Sequence, residues 1–289
     1  MNIIFIHGMN QQHQSQNALK QAWLTHISRN LNPTQYSNFL QNNHFECAFY
    51  GDLLIEQHLN NKLHFSSTLE ENQSIQPKPQ SNPHINLNTT STTLNQSTAV
   101  INNTIPVSEF ALQWKDQAIR DFLMLLNFFP KLHNSLIHHF LIETYLYLNN
   151  PEFTQQVHQR ISDTILDPNQ EYAIIGHSLG SVIAYNYLRE YPKLKFKFFM
   201  NLGSPLAFRI IQSQVVHPIQ RPESLKGDWF NIYSLNDFLA AFPLMQQPFN
   251  FSPKIINLAI HTSAFHPHEI GHYLENLDVT NLLTSQLNV

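Results

Sequence analysis

Residues 172–188 constrain the fold more than any other stretch. The chain runs from an apolar segment, Tyr172–Ile175, through Gly176-His177-Ser178-Leu179-Gly180 into a helical pattern, Ser178–Glu190. Only seven glycines occur in 289 residues, and two of them flank this serine. Glycine is used where the backbone needs positive φ or a close approach. A pair set two before and two after one residue therefore marks a tight strand-to-helix turn. A strand that passes straight into a helix meets its next parallel neighbour only after a crossover, which points to an α/β sheet.

The other segments agree. Residues 2–6 form a short continuous apolar run, as expected of a buried parallel strand. A helix is expected over Asn17–Leu31, where Leu19, Trp23, Ile27 and Leu31 repeat every four residues. His44–Tyr50 reads as a strand closed by Gly51-Asp52. Further strands are expected at Lys195–Leu202, Phe230–Ser234 and Ile255–Ile260. Further helices are expected at 107–129, Leu132–Leu148, Pro151–Leu166 and Asp278–Gln286, with Pro130 separating the first two and Pro151 suited to a first helical turn. The expectation is an α/β fold: a mainly parallel sheet with helices on both faces and a helical cap. One domain, 1–289, accommodates all of it.

Two segments stand apart. Residues 66–104 are Ser, Thr, Asn, Gln and Pro with scattered aliphatics. Such a stretch buries too little apolar surface to offset its ordering entropy, so a disordered polar insertion is expected. Residues 107–150 are rich in aromatics, among them Phe110, Trp114, Phe122, Phe128, Phe129, Phe140, Tyr145 and Tyr147. They are expected to form the cap or lid, either packing onto the core or lining an acyl channel. The richest window, Phe122–Leu148, is broken by Asn127, Pro130, Lys131, His133, Asn134, His138, His139 and Glu143. That is no membrane span, which needs about 20 apolar residues, although peripheral membrane contact through the cap is compatible with it.

Composition removes several classes. The net charge is −4, with 16 Lys+Arg against 20 Asp+Glu, so the basic footprint of a nucleic-acid binder is missing. The single cysteine, Cys47, allows neither an internal disulfide nor a Cys-rich zinc site, and is expected to be a small strand hydrophobe. Residues 1–6 lack the basic start and long apolar stretch of a secretory signal. A cytoplasmic protein is the expectation.

The turn at 176–180 has the pattern G-x-S-x-G between strand and helix, the context that the nucleophile-elbow hypothesis requires. Ser178 would project at the carboxyl end of the sheet. The following helix N-terminus would aim donors at a developing oxyanion. His7-Gly8-Met9 ends the first strand. In hydrolases of this kind such a loop supplies a second donor, here the amide of Met9 beside that of Leu179.

With these pieces together, the sequence resembles the bacterial α/β-hydrolases of lipase/esterase-like type. The resemblance is carried by IIFIHG at 3–8, FYGDLL at 49–54, ETYLYLNNPEF at 143–153, AIIGHSLGSVIAYNYL at 173–188, NLGSPL at 201–206, WFNIYSLNDFLA at 229–240 and PHEIGHYLENLDV at 267–279. It implies a nucleophile–acid–histidine triad in that chain order, acting on an ester of a small molecule or lipid without a metal or organic cofactor. The implied acid is Asp237, after the strand Phe230–Ser234. The same residue could instead cap the apolar run Phe238–Phe242. Asp228 is the fallback and lies before that strand.

The implied base is His268, five residues before Tyr273, in the manner of related Pro-His-x-x-x-Gly-Tyr-Leu segments. His272 is the alternative, with His266 and His261 further candidates. The same segment reads His268-Glu269-Ile270-Gly271-His272, an H-E-x-x-H pattern. On one helix it would present two imidazoles to zinc with Glu269 as base, and His266 could be imagined as a third ligand. That gives a zinc peptidase as the rival enzyme. A catalytically silent hydrolase-fold module that binds through its polar insertion is the rival outside enzymology. Pro267 before the motif and 17 histidines in the chain favour an accidental match. Ser204, in Gly203-Ser204-Pro205, carries no expected catalytic role.

Overall fold

A computed structural model describes residues 1–55 and 134–287, and the side chains of 140 and 143–287 in the second stretch. The expected insertion at 66–104, the expected helix at 107–129 and the cap aromatics Phe110, Trp114, Phe122, Phe128 and Phe129 lie outside the described residues.

The chain forms β1 (Asn2–Ile6), α1 (Gln16–Ser28), α2 (Pro33–Asn42), β2 (His44–Ala48), α3 (Asn134–Asn149), α4 (Pro151–Ser162), β3 (Glu171–His177), α5 (Leu179–Glu190) and β4 (Lys195–Leu202). There follow a 3₁₀ turn at Pro205–Ala207, α6 (Arg209–Gln212), β5 (Leu225–Ser234), a 3₁₀ turn at Phe238–Ala240, β6 (Ile256–Ile260), α7 (Ile270–Leu274) and α8 (Leu277–Leu287). The six strands make one sheet in the order β2-β1-β3-β4-β5-β6, with every pairing parallel.

Both faces of the centre of the sheet are buried, which is why β1, β3 and β4 read as continuous apolar runs rather than alternating ones. Successive residues of β1 serve opposite layers. Ile3 and Phe5 join Trp23 of α1, Tyr273 of α7 and Leu283 of α8. Ile4 and Ile6 join Val182 of α5, Val157 of α4 and Tyr147 of α3. At the far side of the sheet Trp229 of β5 is fully buried and stacks on Tyr185 of α5, with ring centroids 5.6 Å apart. Among the described residues no helix is long and apolar enough to cross a membrane.

Several boundaries differ from the sequence reading. The first helix ends at Ser28, not Leu31. α2 was not expected, because its composition, PTQYSNFLQN, shows one buried residue, Phe39, instead of an apolar stripe. Its signal is at the N-terminus: Asn32 and Gln35 cap each other's backbone reciprocally, and Pro33 occupies the first turn. α4 stops at Ser162, leaving Leu166 exposed. β5 begins five residues earlier than expected, at Leu225, which places Asp228 inside the strand instead of before it.

β1 is followed by a neighbour on one side (β2), and β3 by neighbours on the other (β4, β5, β6). The strand order thus reverses between β1 and β3. In open parallel sheets the crevice outside the carboxyl ends at such a reversal is where ligands bind. The loops leaving β1 and β3 meet there.

Candidate active site

The turn after β3 is built by exclusion of side-chain volume. A Cβ on Gly180 would collide with the carbonyl oxygens of Ile6 and His7, and one on Gly176 would lie 2.6 Å from the Gly180 carbonyl oxygen. Only two glycines let α5 cross so close to the ends of β1 and β3. Ser178 between them has φ 53° and ψ −126°, a left-sided conformation that costs a non-glycine residue of order 1–3 kcal/mol and persists only where the surroundings impose it. The surroundings here are three hydrogen bonds. Ser178 N donates to Leu202 O at 3.0 Å, and its own carbonyl accepts from Ser181 N at 3.0 Å and Ser181 Oγ at 2.6 Å.

Ser178 Oγ lies 2.7 Å from His268 Nε2, and His268 Nδ1 lies 2.7 Å from Asp237 Oδ2. Ser178 and Asp237 are fully buried, and His268 is 7% exposed. The three residues come from separate places: the end of β3, the loop after β5 and the loop after β6. Asp237 makes two kinds of contact at once. Its Oδ1 accepts from Leu239 N at 3.1 Å and caps the 3₁₀ turn, while its Oδ2 faces His268. Tyr273 of α7 donates its hydroxyl to the same Oδ2 at 2.6 Å. Burial, and next the adjacent Asp237 charge, push the Tyr273 phenol far above its ordinary pKa, so it remains a donor.

The two loops are tied to each other upstream. Ser234 Oγ lies 3.0 Å from Thr262 Oγ1, and Asn236 Nδ2 donates to Thr262 O at 2.9 Å. His177, next to the serine, reaches across as well: its Nε2 donates to the carbonyl of His268 at 3.0 Å. Burial above all, and next the neighbouring His268, hold the His177 imidazole well below its ordinary pKa. It is therefore a neutral ring with its proton directed at the backbone of His268.

The loop after β1 is fixed by His7 and Tyr50. His7 Nδ1 donates to Gly8 O at 2.7 Å, and His7 Nε2 accepts from Tyr50 N at 3.1 Å. Tyr50 Oη donates to His7 O at 2.9 Å and lies 3.3 Å from Gly8 O, and the two rings stack at 3.9 Å. Burial lowers the His7 pKa to about 4, against a raising effect of the Gly8 carbonyl, so the ring is neutral. In a trans peptide the N–H points opposite to the C=O. Anchoring the Gly8 carbonyl therefore sets the direction of the Met9 amide. Neither the Met9 nor the Leu179 amide donates to another described residue.

The remaining sequence candidates are not brought together. His272 is one-third exposed, and its nearest acid is Glu269 at 4.0 Å; His266 is mostly exposed, also 4.0 Å from Glu269. His261 is exposed, and so is Asp228, within β5. α7 starts only at Ile270, with Glu269 as its cap residue, so His268 precedes the helix and His268 and His272 do not share a helical face. Among the described residues no group of three His, Cys, Asp or Glu is placed to hold a metal ion. Ser204 bonds Ser181 Oγ at 2.7 Å and the Leu206 amide at 3.3 Å, a turn-forming role. Cys47 is a buried strand residue whose thiol burial pushes up to about 12.

Tyr50, His177 and Tyr273 contribute to this arrangement, as does Glu143 of α3, whose carboxyl accepts from the Asn10 amide after Met9 at 3.0 Å; none of the four was given a role in the sequence reading. For Glu143 a signal existed, a carboxylate inside an apolar helical run. For the other three none did, since their contacts are long-range. Comparison with known proteins adds no relative: no family model matches the chain, and no curated protein matches it.

Proposed function

We propose that this chain is a serine hydrolase of the α/β-hydrolase type that cleaves a carboxylic ester through an acyl-enzyme. The observation that carries the proposal is the continuous Ser178 Oγ–His268 Nε2 and His268 Nδ1–Asp237 Oδ2 contact at 2.7 Å each. The reversal of strand order beside the serine supports the fold assignment.

In this reading Ser178 attacks the ester carbonyl carbon while His268 Nε2 takes its proton. Asp237 holds the imidazole in the tautomer with its proton on Nδ1 and stabilises the imidazolium. The tetrahedral oxyanion takes hydrogen bonds from the amides of Met9 and Leu179. His268 then returns the proton to the leaving alkoxide, and water releases the acyl group by the same steps in reverse order. The substrate is an ester of a small molecule or a lipid. A cytoplasmic location and peripheral membrane contact through the cap go with this reading on the sequence grounds alone.

The test is covalent labelling by a fluorophosphonate, with and without a chelator, beside hydrolysis of a soluble nitrophenyl ester. We expect labelling and turnover that survive chelation. Ser178→Ala should abolish labelling and lower kcat by about 10⁴-fold or more with the fold retained. Ordinary turnover in that variant, or turnover abolished by chelator, would sink the assignment.

A further inference from the structure

Glu143 is the one fully buried carboxylate among the described residues besides Asp237. It sits in the middle of α3, and both of its oxygens approach a single donor, the backbone amide of Asn10, at 3.0 and 3.2 Å. Asn10 immediately follows Met9 and has φ 60°, in the left-handed region that asparagine enters more readily than most side chains. No other described group hydrogen-bonds the carboxyl, and no described lysine or arginine pairs with it.

We propose that Glu143 is a positioning residue for the ester hydrolysis assigned above: its carboxyl, reaching from α3, holds the Asn10 backbone and thereby the Met9 amide in the orientation that receives the oxyanion. The proposal rests on the hydrolase reading. His7 and Tyr50 hold the Gly8 end of the loop, and Glu143 holds the Asn10 end, so Met9 lies between two anchors. Met9 itself packs into the same apolar layer as Tyr50, Phe140 and Tyr147, which leaves the Glu143 carboxyl as the polar tie between α3 and the loop among the described side chains.

The protonation state has a consequence of its own. Burial raises the Glu143 pKa to about 8, opposed by the Asn10 hydrogen bond. Among the described titratable groups, Tyr50 after β2 interacts with it electrostatically, Tyr147 lies one turn further along α3, and His7 at the end of β1 stacks on Tyr50. Both phenols are pushed up by burial and the imidazole is pushed down, so all three are neutral around pH 8. At neutral pH the carboxyl is protonated, and its carbonyl oxygen accepts from Asn10. Above pH 8 it carries a negative charge one residue from the Met9 amide. There it opposes the charge that develops on the substrate oxygen, in a surrounding that screens poorly.

The experiment is the pH profile of kcat for a soluble nitrophenyl ester in the full-length protein, for the wild type, Glu143→Gln and Glu143→Leu. Wild-type kcat should fall at least about fivefold between pH 7.5 and 9.5, as expected for ionisation of one group near 8. Glu143→Gln keeps an acceptor for Asn10 but cannot ionise. It should retain kcat within about threefold at pH 7 and lose the alkaline fall. Glu143→Leu should lose at least about tenfold in kcat at pH 7 with KM nearly unchanged, because the loop and not the binding surface is released. An alkaline fall that persists in Glu143→Gln, or wild-type kcat in Glu143→Leu, overturns the proposal. Should Glu143→Leu not fold, the profile of Glu143→Gln decides alone. Fluorophosphonate labelling of the wild type separates the two levels: absent labelling fails the hydrolase reading, whereas labelling with unshifted profiles fails only the role of Glu143.

Discussion

The two sides of the candidate site are held by different physics. On the β3 side, Ser178 is placed by local backbone: two glycines, a strained φ, and bonds within the turn or to the adjacent strand β4. On the β5–β6 side, Asp237 and His268 sit on loops 31 residues apart and are placed by side-chain bonds between them and to Tyr273, together with Ser234–Thr262 and Asn236–Thr262 upstream. The first arrangement forms once β3 and α5 pack beside β1 and β4 in the body of the sheet. The second exists only once distant segments have met. Damage to the two sides should therefore be read out differently, the turn mainly in folding stability and the loops mainly in turnover.

The largest contrast lies within the loop side itself. His268→Ala removes the group that bridges Ser178 and Asp237, and we expect a loss of about 10³-fold or more in kcat with the melting temperature little changed. His272→Ala, four residues away and with Glu269 at 4.0 Å as its nearest described acid, should cost less than about tenfold. A soluble ester is the appropriate substrate, so that effects of bulk do not enter the ranking. A reversed order of the two variants would move the base to His272.

Next in size is a break on the turn side. In Gly180→Ala the new methyl meets the backbone carbonyls of Ile6 and His7, which cannot yield without shifting β1. Overpacking of this kind costs on the order of 3 kcal/mol. Chemical denaturation should show that loss with an unchanged slope. A variant as stable as the wild type would show that the close crossing of α5 over β1 is not a constraint of this fold.

The same contrast governs what could be read from the sequence. The turn was legible because its constraint is local: glycines at fixed offsets between an apolar run and a helical pattern, in a chain that uses seven glycines. The parallel sheet followed from continuous apolar runs, and the strand at Lys195–Leu202 was placed to the residue. The loop side was not legible from periodicity. Asp237 and His268 were reached only through resemblance, and from the residues alone Asp237 could as well have been a helix cap; its carboxylate caps the 3₁₀ turn with one oxygen and faces His268 with the other. α2 escaped because it buries a single aromatic, Phe39, and announces itself only through the Asn32–Gln35 caps. Tyr273 served as a landmark for spacing without its hydroxyl receiving a role. A phenol that donates to a carboxylate 36 residues earlier leaves no local pattern.

That hydroxyl supports the smallest effect and the finest test of the contrast. Tyr273 Oη and His268 Nδ1 both bond Asp237 Oδ2, at 2.6 and 2.7 Å, while Leu239 N holds Oδ1. Tyr273→Phe keeps the fully buried ring and its packing beside His177, where the centroids are 6.0 Å apart. It deletes one donor from a buried carboxylate that retains two. A hydrogen bond to a charged group contributes about 1.5–3 kcal/mol. Some of that returns as a tighter Asp237–His268 contact, because Oδ2 then has one suitor instead of two. The lost restraint on the carboxylate's orientation is not recovered, so we expect kcat to fall about threefold to tenfold with KM unchanged, alongside a loss of about 1 kcal/mol in stability. Measured with the same soluble ester, kcat within a factor of two of the wild type would mean that Asp237 is held well enough by Leu239 N and His268 alone. The loop side would then be closer to the turn side, a locally capped carboxylate and not a network assembled at long range.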